Sequence, residues 1–393
     1  MSDPDLIVRV AARGEGVTTD GRFAALAAPG DRLRGDGSVE LGPHHRQPPC
    51  RHFPECGGCQ LQHLEDQSYA GFVRDRIVAA LEAQRVALPE FARVHLSPPN
   101  SRRRASLSAH RVGKRVLLGF KQERSNRIED MHECHILRPE LFGLVQPLRK
   151  LLASQLKDRG AATVKMALAD QGVDLLIEAA LADGLAAAEA LTEFAQAHRL
   201  ARLSIDDGVG PQTRWEPEPV TITLGGAPVA LPHDAFLQAT ADGEEALVRA
   251  VLDGVDGAGI LADLFSGLGT FALNLRGKVY AAEASRDAVL ALKAARPSVF
   301  ADHRDLYRRP LATAELDRFD AVVLDPPRAG AEAQVRQLAA SRVARIAYVS
   351  CNPASFARDA RLLVEGGYRL ERVTPVGQFR WSTHVELAAS FRR

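Results

Sequence analysis

The sequence predicts an α/β protein whose C-terminal part, from about residue 236, is built on a parallel sheet. Two observations predict this. First, the apolar runs I-L-A-D-L-F, V-Y-A-A-E, A-V-V-L-D and I-A-Y-V-S alternate with helix-like segments from Phe236 onward. Strands of a parallel sheet covered on both faces read as such runs, and function collects at their carboxyl ends. Second, each run ends in residues suited to chemistry rather than packing: a Gly-rich turn at 266–269, Glu283, Asp325-Pro326-Pro327 and Cys351.

Two further segments precede this one. Residues 1–46 carry short runs, L-I-V-R-V, G-E-G-V, D-G-R-F and A-A-P-G-D-R-L, broken by Gly and Pro, which is the spacing of a small β-barrel with hairpin turns. Pro43, Pro48 and Pro49 mark the boundary. Residues 47–235 read as a central α/β domain. They open on a cysteine cluster and an amphipathic helix over Tyr69–Val86, with Phe72, Ile77, Ala80 and Leu81 on one side. Strand-like V-L-L-G-F, V-K-M-A-L and V-D-L-L-I-E then alternate with helical segments such as Leu181–His198. In residues 236–393, helices are expected over Asp242–Val255, after the Gly-rich turn, and over Ala354–Glu365.

Composition bounds the class. The chain of 393 residues is 46% hydrophobic and 25% charged, an ordinary globular balance. The start, M-S-D-P-D-L-I-V-R-V, lacks the basic and apolar regions of a signal peptide, and no apolar run is long enough to cross a bilayer. Five cysteines argue against a disulfide framework, so the expected location is cytoplasmic. The net charge of +1 is uninformative, but Arg102, Arg103, Arg104, Arg111, Lys114, Arg115 and Lys121 form a basic stripe. It suits phosphate tracking or a solvated strand pair equally well.

The motifs are more specific. In D-L-F-S-G-L-G-T-F (263–271), Gly267 and Gly269 let the chain turn and a ligand approach the backbone. Glu283, at the end of the next strand, can accept the two hydroxyls of a ribose. No third glycine opens the helix in the phosphate-cradling register, so a nucleoside without pyrophosphate fits, which points to S-adenosylmethionine. D-P-P-R-A-G (325–330) forms a rigid turn with Asp325 facing the cleft.

S-C-N-P (350–353) supplies a thiol before a helix whose N-terminal amides would lower its pKa. A thiolate adding to carbon 6 of uracil makes carbon 5 nucleophilic, the logic of covalent catalysis. H-V-E (384–386) offers Glu386 or His384, on one face of the last strand, to remove the carbon 5 proton. Cys50, Cys56 and Cys59 form C-x5-C-G-G-C, and Cys134 follows. Four thiolates close either a zinc site or a [4Fe-4S] cluster, and the spacing matches neither a zinc ribbon nor a radical enzyme.

These motifs, together with F-L-Q at 236–238 and in this order, resemble the RNA uracil-C5 methyltransferase family over almost the whole chain. The resemblance implies a Rossmann-like class I methyltransferase domain, a central domain bearing a [4Fe-4S] cluster on Cys50, Cys56, Cys59 and Cys134, and an abbreviated N-terminal RNA-binding barrel. It implies S-adenosylmethionine contacts from Gln238, Phe265, Thr270, Glu283, Asp305 and Asp325, with Cys351 as nucleophile and Glu386 as base. Thr270 and Ser266 stand where the family more often has Asn and Cys. The implied substrate is RNA, 23S ribosomal RNA rather than transfer RNA, recognised by a monomer with stacking help from Phe379 and Trp381. The rival readings are an amino-group methyltransferase built on the Asp-Pro-Pro turn, and a non-catalytic iron–sulfur RNA-binding or redox module.

Overall fold

The computed structural model describes residues 3–393. They divide into two compact units that differ from the three consecutive segments read from the sequence. The first unit joins the residues up to Pro49 with Cys59–Ser97 and Asp242–Arg393, and the second holds Cys50–Gly58 and Pro98–Ala241.

Among the described residues, nine strands form the main sheet of the first unit. In spatial order they are Phe300–His303, Lys278–Glu283, Ile260–Leu264, Ala321–Leu324, Arg345–Ser350, Glu386–Arg392 and Arg369–Gly377. The short strands Glu90–Phe91 and His95–Leu96 both pair with the last. The first five run parallel, and Glu386–Arg392 is antiparallel to both its neighbours. The chain begins at Ile260–Leu264, moves outward, and then returns to Ala321–Leu324 on the other side. That reversal opens a crevice beyond the carboxyl ends of these two strands, where open α/β sheets bind ligands.

The predicted parallel sheet is thus present, and its apolar runs are buried as expected. Leu264, Ala282, Leu324 and Tyr348 share one core with Phe356, Ala357, Ala360 and Leu363 of helix Pro353–Glu365. Tyr69, Phe72, Val73, Ile77 and Leu81 of helix Asp66–Ala83 join them. Each such large side chain contributes about 1.5–3 kcal/mol on burial. This helix lies three residues earlier than the sequence predicts, and Arg85 at φ 57° ends it in the left-handed region.

The helix expected after the Gly-rich turn does not form. Residues 267–274 are hydrogen-bonded turns instead. The buried Asp263 carboxylate takes the Ala272 amide (2.8 Å), a donor that a regular helix would spend on a carbonyl one turn back.

The N-terminal residues form a three-stranded sheet (Ile7–Val10, Gly16–Thr18, Phe23–Ala24) and a hairpin (Arg32–Leu33 with Val39–Glu40) around Ile7, Ala24, Ala27 and Leu33. Asp31, fully buried in the A-A-P-G-D turn, accepts from the Ala28 and Gly42 amides (both 2.7 Å) and pairs with His45 Nδ1 (2.8 Å).

In the second unit, six described strands pair in the order Gln212–Trp215, Arg202–Asp206, Gly172–Glu178, Ala161–Ala169, Arg104–Val112, Arg115–Gly119. Only Gly172–Glu178 and Arg202–Asp206 are parallel, and their facing ends carry the buried Arg202–Asp174 pair (2.6 Å). The basic stripe is not one phosphate track. Arg103 is buried and donates to the Gln238 carbonyl (3.0 Å). Arg111 donates to the Leu156 and Gly113 carbonyls, and Arg104 lies 4.5 Å from the Phe236 ring centroid. Lys114, Arg115 and Lys121 are the exposed remainder. No helix among the described residues is long and apolar enough to cross a membrane.

Candidate active site

The crevice is lined from the ends of adjacent strands. Strand Ile260–Leu264 ends at Phe265, which takes φ 65°, a conformation costly for a bulky residue. Its amide and that of Ser266 both donate to the Ala282 carbonyl (3.0 and 3.1 Å), which pins the turn to the neighbouring strand. At Gly269 (φ 93°) a Cβ would sit 2.5 Å from Leu292, so the close approach of turn and helix Arg286–Ala295 requires glycine.

Glu283 accepts the Gly267 amide on one oxygen (3.0 Å) and the Ser285 amide on the other (2.7 Å). A carboxylate so held keeps a lone pair on each oxygen for a diol. Asp325 follows strand Ala321–Leu324, and its amide donates to the Leu264 carbonyl (3.2 Å) across the crevice. Burial pushes the Asp325 carboxyl up to about 7.

Sequence reasoning assigned no role to Asp263, although a carboxylate inside an apolar strand is a legible signal. It is fully buried, and among the described residues its Oδ1 has no hydrogen-bond partner, nor does the buried Ser266 Oγ. Burial, reinforced by Asp325 and Glu283, pushes its carboxyl up to about 8 against the pull of the Ala272 amide. Asp263, Glu283 and Asp325 thus gather three carboxyl groups at the crevice, a setting that suits a positively charged ligand. Of the other predicted contacts, Asp305 accepts from the Tyr307 and Arg308 amides (3.0 and 3.3 Å), and Thr270 contributes its carbonyl to Asn274 (2.8 Å). Gln238 is buried within the second unit.

Cys351 stands at the end of strand Arg345–Ser350, half-buried. Asn352 caps the following helix by accepting the Ala354 amide (3.1 Å), and its Nδ2 donates to the Arg328 carbonyl (2.9 Å). Ser355 Oγ donates to the same carbonyl (3.0 Å), so the S-C-N-P and D-P-P-R turns are tied together. Behind them, the buried Asp359 accepts from Tyr348 Oη (2.6 Å) and the Ala331 amide (2.8 Å).

The expectation of a lowered thiol pKa is overturned. Burial, then Glu386 and Asp325, push the Cys351 thiol up, and Arg328 only partly offsets them. Burial is the main cause, and the two nearby carboxyl groups add to it. Register brings these groups to one edge of the sheet: Ser350 pairs with Leu387, next to Glu386, and Leu324, just before Asp325, pairs with Tyr348, while Arg328 also bears on the sulfur.

Glu386 is buried at the start of its strand, whereas His384 is exposed, outside the strand, and 5.5 Å from the Phe379 ring. The two therefore do not share a strand face. Trp381, expected as an exposed stacking platform, is 5% exposed, and Phe379 is partly buried. Tyr307 is an aromatic that the sequence reading missed. Its ring lies 5.4 Å from that of Phe265, its hydroxyl donates to the Gly330 carbonyl (3.0 Å), and it is 49% exposed.

Cys50, Cys56 and Cys134 belong to the second unit, and Cys59 is grouped with the first. Burial raises all three thiols of the second unit, Cys56 to about 11, and the Cys134 sulfur adds to the rise at Cys50 and Cys56. Gly57 of the C-G-G-C run has no room for a Cβ, which would meet the Lys121 carbonyl at 2.5 Å. Among the described residues, no group of three or more His, Cys, Asp or Glu side chains is arranged to hold a metal ion. The donor chemistry, all sulfur, fits a soft metal or cluster.

Comparison with known proteins agrees with the crevice. Residues 297–393 match the family model described as tRNA (Uracil-5-)-methyltransferase. An uncharacterized RNA methyltransferase of Zymomonas mobilis is 50% identical over 98% of this chain and 99% of its own length. The 23S rRNA (uracil(1939)-C(5))-methyltransferase RlmD of Chromohalobacter salexigens is 31% identical over 97% of this chain and 87% of its own. The crystal structure of Pyrococcus abyssi tRNA (uracil-54, C5)-methyltransferase in complex with S-adenosyl-L-homocysteine superposes with a TM-score of 0.73 at 21% identity. It covers 98% of this chain and 99% of that one, which establishes the class I methyltransferase fold. The chain belongs to the RNA uracil-C5 methyltransferase family and is an RNA methyltransferase.

Proposed function

We propose that this enzyme methylates carbon 5 of a uridine in 23S ribosomal RNA through a covalent adduct on Cys351. The observation that carries the reading is the grouping of Cys351, Glu386, Asp325 and Arg328 at the sheet's ligand-binding edge. The ribosomal target is supported by the name of the Chromohalobacter relative.

S-adenosylmethionine supplies an electrophilic methyl group. Glu283 and Asp325 suit its ribose and positive charge, Asp263 lies buried beside them, and Phe265, Thr270 and Asp305 are further contacts. The target base must leave its stack to reach the sulfur. The Cys351 thiol, kept protonated at neutral pH chiefly by burial and then by Glu386 and Asp325, gives its proton to solvent water as the base binds, with Arg328 the cation that favours the thiolate. Its sulfur bonds to carbon 6, and the ring electrons shift so that carbon 5 can take a methyl from the sulfonium of the cofactor, whose methyl–sulfur bond would break with the electron pair leaving on the thioether. Glu386 then takes the carbon 5 proton, the carbon–sulfur bond breaks, and the electron pair returns to sulfur.

The [4Fe-4S] cluster on Cys50, Cys56, Cys59 and Cys134 is part of the same proposal, supported by sulfur-only donors and by the mutual influence of the second unit's thiols. Anaerobic purification followed by iron, sulfide and zinc analysis tests it. Colourless protein with stoichiometric zinc would sink the iron assignment.

The decisive experiment is tritium release from RNA labelled at uracil carbon 5, taken from cells lacking the enzyme. Release that requires the cofactor and disappears in Cys351→Ala, with cofactor affinity retained, is expected. Methyl incorporation without release would instead favour amino or ribose methylation, and neither signal would favour a binding module.

A further inference from the structure

The first unit carries a groove of about 1390 Å³ that the chemistry above leaves unused. Helices Asp66–Ala83 and Ala241–Val255 form its walls, and its floor is the sheet face made by Thr374, Ala388 and Ser390. Small side chains keep it open. Gly254 on the wall could not carry a Cβ without approaching Ser390 to 3.2 Å.

Its charge is lopsided. Three of its arginines are matched: Arg380 by Asp66, Arg372 by Glu90 (3.9 Å) and Arg392 by Glu371 (3.4 Å). Arg93 and Arg249 are exposed and make no ion pair among the described residues. Arg74 lies 5.3 Å from the Phe91 ring centroid and has Asp75 near it, and the groove's remaining carboxylate, set against Arg93 and Arg249, is Asp253. A groove with surplus guanidinium groups on mobile stems attracts a chain of phosphates.

The groove's sheet face also runs toward the reaction centre. Alternate residues of a strand share a face. The row Ala388, Ser390, Arg392 that faces the groove therefore begins two residues beyond Glu386, on the side of the sheet that Glu386 faces. Register supports this, since Thr374 of the floor pairs with Ala388, and Val376 beside it pairs with Glu386.

We propose that this groove binds the sugar–phosphate backbone of the RNA flanking the target uridine, with Arg93 and Arg249 as phosphate contacts. The proposal rests on the RNA reading above. It adds a second anchoring surface, one that supplies affinity without reading sequence, while specificity stays with the pocket around Cys351.

The test is the double variant Arg93→Glu/Arg249→Glu, bound to a 23S rRNA transcript over a series of salt concentrations. Wild type and Arg93→Lys/Arg249→Lys serve for comparison. Two lost phosphate contacts should flatten the plot of log affinity against log salt by roughly 1.4–1.8. At low salt the glutamate variant should bind at least ~10-fold more weakly, whereas the lysine variant stays near wild type. Cofactor affinity should not change. Unchanged affinity and slope in a wild type that releases tritium from RNA would overturn the groove alone. A wild type with no RNA-dependent transfer would overturn the reading beneath it. Lost binding of a polyglutamate probe with unchanged RNA binding would assign the groove to an acidic protein segment, and would also overturn the proposal.

Discussion

Asp263→Asn should uncouple the stability of the cofactor-free enzyme from pH in a defined window. In the folded protein the Asp263 carboxyl is pushed up to about 8, chiefly by burial, from an ordinary value of 3.8. Between these two values the unfolded chain has released the proton and the native chain has not. Native stability drawn from the neutral acid is thus fully present below the unfolded value and is lost as pH rises toward about 8. The slope from one such group is about 1.4 kcal/mol per pH unit. Asparagine has nearly the same shape as the neutral acid and can still accept the Ala272 amide, but it does not titrate.

The variant should therefore gain on the wild type by about 2.7 kcal/mol between pH 5 and pH 7. At about 2–4 °C per kcal/mol for a unit of this size, the gap in Tm should widen by roughly 5–10 °C. Scanning calorimetry of both proteins without cofactor at the two pH values reads this directly. Asp325, pushed up to about 7, titrates in both proteins and cancels in the difference. A gap in Tm that is the same at both pH values would show that Asp263 is already ionised in the native state, and the account of a carboxyl kept neutral by burial would fall with it.

Glu386→Gln should stop tritium release while a protein–RNA adduct persists on denaturing gels. Because Glu386 is the foremost charge holding the Cys351 thiol up, the same variant should be alkylated faster at Cys351 in the absence of RNA, read by peptide mass spectrometry. Release at the normal rate would remove Glu386 from the reaction. Asn352→Ala loses both the helix cap and the tie to the Arg328 carbonyl, and should cost roughly 1–2 kcal/mol in denaturant unfolding together with a raised KM for RNA. A purely structural role would leave KM alone. His384→Ala should keep near-normal turnover, since the ring is exposed and outside the last strand; a loss of more than ~10-fold, about 1.4 kcal/mol in the barrier, would restore it as a candidate base.

The sequence by itself determined where the strands of the C-terminal sheet end and which residues stand there. These are local properties. An apolar run must bury both faces, a glycine must turn the chain at Gly269, and Asn352-Pro353 must open a helix. Glu283, Asp325, Cys351 and Glu386 were legible for that reason.

Tertiary structure decided whatever depends on neighbours far along the chain. Helix propensity after Gly269 yielded to Asp263, whose carboxylate claims the Ala272 amide. The helix N-terminus expected to acidify Cys351 yielded to burial, reinforced by Glu386 and Asp325, because a thiolate taken out of water near negative charge is disfavoured. Trp381 turned inward and Arg103 became a structural donor, since burial and hydrogen bonding are settled by packing. The grouping of the N-terminal strands with the C-terminal sheet has the same origin. Val10 and Ala28 enter the core that Tyr348 and Leu387 fill, and only the folded chain brings residues so distant in sequence into one apolar interior.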